Sequence, residues 1–343
     1  MSKLLRACDI PLILAIMALA VILAGGFVRI HDAGESCPDW PTCFGTLGFD
    51  VSEEEQDVWF AANPDKIDSR GEAHRYSTFE IFTEWFHRLL ATASGAVVIV
   101  GLIIVHRNRE ALSDENWYAA KVSLVVVISQ GLLGAITVIF DNESWSVALH
   151  LTLALAYTGW LFWWWLLWRR DVDLLPNLTK IDESGVKEIK TFKLGILVSS
   201  PVLLLGVWIA TGEGGAYNQG CSVGWWQGWP LCQGSLFPEI FDNIAIFVAW
   251  IHRIAVIIVG VVLVKSFIDM KNRLVSSSKN LQWIFGLGVL AYLLNILVGG
   301  LYVVLAKDGF PELLSLLHLN LGSDVILLFG IGYAICSLKQ EGH

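Results

Sequence analysis

Histidine is the residue whose placement in this chain first asks for a chemical explanation. His87-Arg88 recurs as His252-Arg253 at an offset of 165, and His150 has a counterpart in His318 at an offset of 168. Imidazole is a common metal ligand and carries protons near neutral pH. A single histidine near the end of an apolar segment reads as a snorkelling or hydrogen-bonded side chain. Two pairs repeated at matched spacing read instead as ligand sets. Zinc asks for three or four ligands, often thiolates or carboxylates, whereas two imidazoles facing each other suit the axial positions of heme iron. Heme is the better fit. Arg88 and Arg253 directly follow two of these histidines and read as partners of heme propionates or as cations reaching lipid phosphates. His31, His74, His106 and His343 have no such counterparts and read as loop or terminal residues.

The elements that must position these side chains are set by composition. With 343 residues, 55% of them apolar and only 16% charged, the chain is too apolar for an ordinary soluble enzyme. Its mean hydropathy of +0.59 points the same way. A bilayer core takes roughly 20 apolar residues per helix, and stretches of that kind lie near 10–29, 81–105, 119–140, 145–168, 193–211, 243–264, 281–306 and 312–338. The first could be a signal peptide, but the uncharged run from Ile10 to Val28 is long for one and a counterpart opens the second half. The expected fold class is an all-α membrane protein of eight transmembrane helices arranged as two duplicated four-helix bundles. Trp163 to Trp165 read as part of an interfacial aromatic belt. The net charge of −9 comes largely from one acidic loop, and nothing resembles a nucleic-acid surface.

Loop charges predict the orientation, because Lys and Arg are retained on the cytoplasmic side. One set of loops and ends carries Lys3, Arg6, Arg107, Arg109, Arg169, Arg170, Lys180, Lys187, Lys190, Lys193, Lys265, Lys271, Arg273, Lys279 and Lys339. The other holds only Lys66, Arg70, Arg75 and Lys307. Both termini are expected in the cytoplasm. All four paired histidines then start helices from the outer face, where facing helices of a bundle can grip a cofactor.

Self-comparison reinforces the pairing. The offset of 165 also carries Gln130 onto Asn295 and Gly134 onto Gly299, and WPTCFG (40–45) resembles WPLCQG (229–234). The expected division is an N-terminal half at 1–170, a cytoplasmic linker at 171–191 and a C-terminal half at 192–343. Cys37 and Cys43 share the first outer loop, Cys221 and Cys232 the third. Local closure on the oxidising side favours one disulfide in each, although a redox-active pair is a competing reading. Within the acidic segment 46–80, Ser52 to Glu55 is expected to cap a short surface helix ahead of Pro64.

Glu84 breaks the symmetry. It precedes His87 by three residues, which places the two on one helix face, while the matching position in the other half is Ala249. An acid in the first turn of a helix can serve the dipole alone. A duplicated chain with two histidine pairs and one carboxylate reads more simply as one chemical site and one support site. Asp324 is a second acid within an apolar span.

E-W-F-H-R (84–88), His150, His252, His318, the paired loop cysteines and the eight-helix duplication together resemble the heme A synthase family over nearly the whole chain. The resemblance implies an oxidoreductase that converts heme O to heme A by oxidising a ring methyl group to a formyl group through an alcohol, for cytochrome oxidase assembly. It implies that His87 and His150 flank the substrate heme O with Glu84 beside it, and that His252 and His318 hold a resident heme b. Cys37 and Cys43, and Cys221 and Cys232, match the family's cysteine pairs. It further implies a multi-pass protein of the bacterial inner membrane, with heme O synthase and a membrane electron donor such as quinol as neighbours. Two other classes fit four histidines: a two-heme cytochrome transferring electrons from quinol, for which Glu84 has no use, and a heme carrier.

Overall fold

In lipid, backbone N–H and C=O groups find no water, so each apolar stretch must satisfy its own hydrogen bonds as a helix. The computed structural model follows that rule. It describes residues 7–68, 70–181, 183–211, 219–239, 243–273 and 279–340, so Lys3, Arg6 and His343 lie outside the described residues. Its helices are α1 (Ile10–Ile30), α2 (Glu53–Ala62), α3 (Thr78–Arg107), α4 (Asp114–Ile139), α5 (Ser144–Asp171), α6 (Glu183–Lys187), α7 (Ile189–Thr211), α8 (Ile244–Arg273), α9 (Lys279–Leu305) and α10 (Glu312–Gln340). Eight of them are long and apolar enough to cross a membrane. Among the described residues there is no strand, only isolated bridges in two loops.

Helix starts follow local chemistry. Ser77 and Glu80 close a capping box at α3: the Ser77 hydroxyl accepts from the Glu80 amide and the Glu80 carboxylate accepts from the Ser77 amide. Ser52 and Glu55 do the same for α2, at 3.3 Å and 2.8 Å, and α2 gives way to Asn63 and Pro64 as expected.

The spanning helices pack in two rings. α1 packs on α3 and α5, and α4 completes the ring against both. α7 packs on α8 and α10, and α9 completes that ring. α3 and α5 therefore stand at opposite corners of the first ring, α8 and α10 at opposite corners of the second. The rings meet where α5 and α1 pack on α10 and α7. Gly26 permits close approach there, since a Cβ would lie 2.9 Å from Leu316 Cδ1. The Arg29 guanidinium also donates across this seam to the Ala210 carbonyl.

The seam corrects the aromatic-belt expectation for Trp164 and Trp165, while Trp163 is half-buried. Trp164 is fully buried and Trp165 nearly so, as is Trp168 further along α5. α5 touches α1, α4, α7 and α10, the stretch from Trp164 to Trp168 is buried, and the Trp164 indole donates to Asn116 Oδ1 at 3.0 Å. The segment between the halves is packed rather than loose. Glu188 is buried against Arg273, and the Cys336 thiol meets the Gly185 carbonyl at 3.5 Å.

Candidate functional site

The four paired histidines sit in α3, α5, α8 and α10, one on each of the diagonal corners. His150 lies within electrostatic range of His87, and His252 within range of His318. The fold thus groups them within halves, across each ring.

Each imidazole rests on a glycine of a neighbouring helix. A Cβ on Gly25 would lie 3.1 Å from His87 Cε1, one on Gly134 3.6 Å from His150 Cε1, one on Gly206 3.4 Å from His252 Cε1, and one on Gly299 2.6 Å from His318 Cε1. A backbone carbonyl four residues earlier completes the cradle. His87 Nδ1 is 3.1 Å from the Val21 carbonyl and His318 Nδ1 is 3.1 Å from the Asn295 carbonyl. A carbonyl can only accept, so Nδ1 carries the proton and Nε2 keeps the lone pair that a metal needs. His252 has the Val202 carbonyl beside it, again four residues before its glycine, without closing a hydrogen bond. Gln130 supplies a side chain at the corresponding place, its amide donating to the His150 carbonyl at 3.3 Å. The buried Nδ1 atoms of His150 and His252 and the amide oxygens of Gln130 and Asn295 have no hydrogen-bond partner.

This donor set can be tested against candidate groups. Among the described residues no three His, Cys, Asp or Glu side chains gather around one point. That disfavours a zinc centre, whereas two imidazoles on opposite corners of each ring, each on a glycine, would suit the iron of a heme.

The residues beside the histidines face outward to the cysteine loops. Arg88 Nε donates to Glu84 Oε1 at 2.7 Å, and its remaining groups donate to the carbonyls of Asp39 at 2.6 Å, Cys37 at 2.8 Å and Thr42 at 3.2 Å. Four of its five N–H groups are thereby committed to protein. Arg253 donates to the Leu231 carbonyl, the counterpart of Thr42. Trp85 Nε1 donates to the Leu47 carbonyl at 2.8 Å, and Trp250 Nε1 to that of Leu236 at 2.9 Å. Cys37 and Cys43 lie at disulfide distance, as do Cys221 and Cys232, in each case with a Cα–Cα separation of 4.4 Å. Both loops also contain a cis Trp-Pro bond, at Trp40-Pro41 and Trp229-Pro230.

Glu84 is 6% exposed, one turn from His87 and paired with Arg88; Ala249, at the matching position, is 1% exposed. Sequence reading found this asymmetry but not the use of the carboxylate to hold Arg88. It also missed Gly25 and Gly206, for which the available signal was a small residue at histidine depth on the first helix of each half.

The acidic segment shares a small aromatic core with the first cysteine loop, in which Phe44 of that loop meets Trp59, Phe60 and Tyr76. Arg70 pins it down, pairing with Glu35 at 2.7 Å and Asp68 at 3.1 Å. Glu35 in turn accepts from Asn142 at 2.9 Å and shares a hydrogen bond with Asp141. Burial, then the bond to Asp141, pushes the Glu35 carboxyl up to about 8 against the pull of Arg70. Among the other histidines, His31 stacks near Phe27 and Phe79, His74 meets Tyr76, and His106 lies on Trp117 in the last turn of α3.

A sequence model of the COX15-CtaA family, described as cytochrome oxidase assembly protein, matches residues 10–330. The chain belongs to this family. Family members similar to it include proteins named heme A synthase from three bacteria. The one from Alkalihalophilus pseudofirmus is 22% identical over 337 residues, covering 96% of this chain and 97% of that protein. Those from Shouchella clausii and Novosphingobium aromaticivorans are 27% and 25% identical, covering 73% and 67% of this chain and 71% and 66% of theirs. The match to the family runs through both rings and all four histidines, and a multi-pass membrane protein is what the eight spans describe.

Proposed function

We propose that this protein is a heme A synthase: a membrane oxidoreductase that oxidises the ring methyl group of heme O to the formyl group of heme A and serves cytochrome oxidase assembly. The observation that carries the reading is the combination of two histidine pairs, each cradled by glycine across a helix ring, with a buried carboxylate beside only one of them. The names of the similar proteins support it.

In this reading the two rings are duplicated halves with different duties. His87 and His150 hold heme O as substrate. Glu84, at the edge of the same ring, holds or moves a proton while Arg88 keeps it in place under the Cys37–Cys43 loop. His252 and His318 hold heme b, which supplies one-electron chemistry when bound. The Asn295 carbonyl fixes His318 as an Nδ1–H tautomer, and Gly206 and Gly299 bring both imidazoles close to their helix neighbours. The two cysteine loops lie outside a bacterial inner membrane and the termini inside, with heme O synthase and quinol as neighbours.

Incubating the purified protein with heme O in aerated buffer containing a reductant, and in parallel with an oxidised quinone as electron acceptor, then analysing extracted hemes by mass, tests the proposal. Oxidising a methyl group to a formyl group needs an oxidant and a source of oxygen. The expected result is the alcohol followed by heme A. Unchanged heme O, with two reducible low-spin hemes bound, would favour the two-heme cytochrome.

A further inference from the structure

At the helix ends opposite the cysteine loops, a cavity of about 510 Å³ opens between the segment joining the halves and the end of α8. Ser184, Lys187, Glu188, Lys190, Thr191 and Arg273 line it. Three of these are cations and one is an acid. The acid is already neutralised within the wall. Glu188 is 4% exposed, accepts from Arg273 at 3.0 and 3.1 Å, and takes a further bond from the Thr191 hydroxyl at 2.6 Å. Asp269 adds a second negative charge near Arg273. Lys187 and Lys190 are exposed, one turn apart, and no ion pair among the described residues engages either.

The ligand such a wall recognises is a phosphate oxyanion, which takes point charges from lysine and hydrogen bonds from hydroxyls. What lies beneath the cavity identifies the source. Lys190, Leu194 and Leu197 follow one another at helical spacing on one face of α7, and Leu194 and Leu197 are 40% and 60% exposed. A cationic pocket above an apolar stripe matches a headgroup above its acyl chains.

We propose that this cavity binds an anionic phospholipid, its phosphate on Lys187 and Lys190 and its chains along Leu194 and Leu197. The lipid joins α6 and α7 to the end of α8 and so braces the segment between the halves.

Native mass spectrometry and thermal unfolding of the full chain in nanodiscs test this. Phosphatidylglycerol, but not phosphatidylcholine, is expected to co-purify and to raise the unfolding midpoint. At about 1 kcal/mol per lysine near a lipid surface, Lys187→Gln with Lys190→Gln is expected to weaken phosphatidylglycerol binding by about 30-fold. Lys187→Arg with Lys190→Arg should restore it. Equal loss from Arg107→Gln with Arg109→Gln would reduce the effect to general surface charge and overturn the site. Equal stabilisation by inorganic phosphate alone would overturn the lipid assignment.

Discussion

Two acids near the cysteine loops show how burial and partners divide the work of a carboxylate. Glu84 is buried and held by Arg88, the same arginine that carries three loop carbonyls. Glu84→Gln retains an oxygen for Arg88 Nε while removing the charge and the exchangeable proton. On the proposed function, the variant is expected to fold and keep the heme assigned to His252 and His318, yet to accumulate heme O or the alcohol. Heme A formation at the wild-type rate would reduce Glu84 to an anchor for Arg88. Glu35 differs because its carboxyl is raised to about 8 by burial and by its bond to Asp141. A folded-state value above the unfolded one means that the native state holds the extra proton, so the associated stability is complete at low pH and is lost as pH rises through about 8. Between pH 6 and pH 9 the unfolding midpoint of the wild type is therefore expected to fall more than that of Glu35→Gln. Parallel pH profiles for the two proteins would show that Glu35 carries no shared proton.

Helices position the histidines through neighbours rather than through their own sequence alone. Each imidazole leans on a glycine of an adjacent helix, and the room differs between sites. At Gly299 an added methyl would lie 2.6 Å from His318 Cε1, inside contact distance, whereas at Gly134 it would lie 3.6 Å from His150 Cε1, an ordinary contact. Gly299→Ala must displace the ring or the helix, at a cost of about 1–3 kcal/mol typical of overpacking. If His252 and His318 hold a heme as proposed, the expected result is loss or spectral change of that heme in Gly299→Ala, with the heme unaltered in Gly134→Ala. Identical absorption spectra and midpoint potentials for Gly299→Ala and wild type would remove the cradle from the account. The same logic explains the loop anchors, since Trp85 and Trp250 hold carbonyls that lie beyond the cysteine pairs.

The whole molecule is two rings joined along a seam of first and last helices, with both cysteine loops at one end and most Lys and Arg at the other. In the orientation proposed from this charge asymmetry, the cysteine end faces outside. After reduction of intact cells, a membrane-impermeant maleimide is expected to label Cys37, Cys43, Cys221 and Cys232, while Cys8 and Cys336, both buried, stay unlabelled. Labelling of the four loop cysteines only in lysed cells would invert the orientation. The arrangement also explains why one half carries a capped, aromatic-cored outer segment: Arg70 and Glu35 fasten it across the α4–α5 turn, beside the ring that holds Glu84.

The chain's own apolar lengths determined the eight spans, because a helix in lipid satisfies its backbone locally and a window of about 20 residues contains the whole reason for it. Histidine spacing, the one-sided Glu84, the cysteine pairs and the Ser52–Glu55 cap were legible for the same reason: each depends on residues within a turn, a loop or a repeat. Lateral neighbours were not legible. Glu35 meets Asn142 across 107 positions, and nothing near either residue announces the other. Trp164 looks like a membrane-interface residue until α5 is found inside the seam. Gly25 and Gly206 acquire a purpose only when an imidazole from the next helix lies on them, and Arg88 reveals its loop carbonyls only when the loop folds back. These contacts join segments that fold separately and meet by shape, so close packing between helices, not local propensity, decides them.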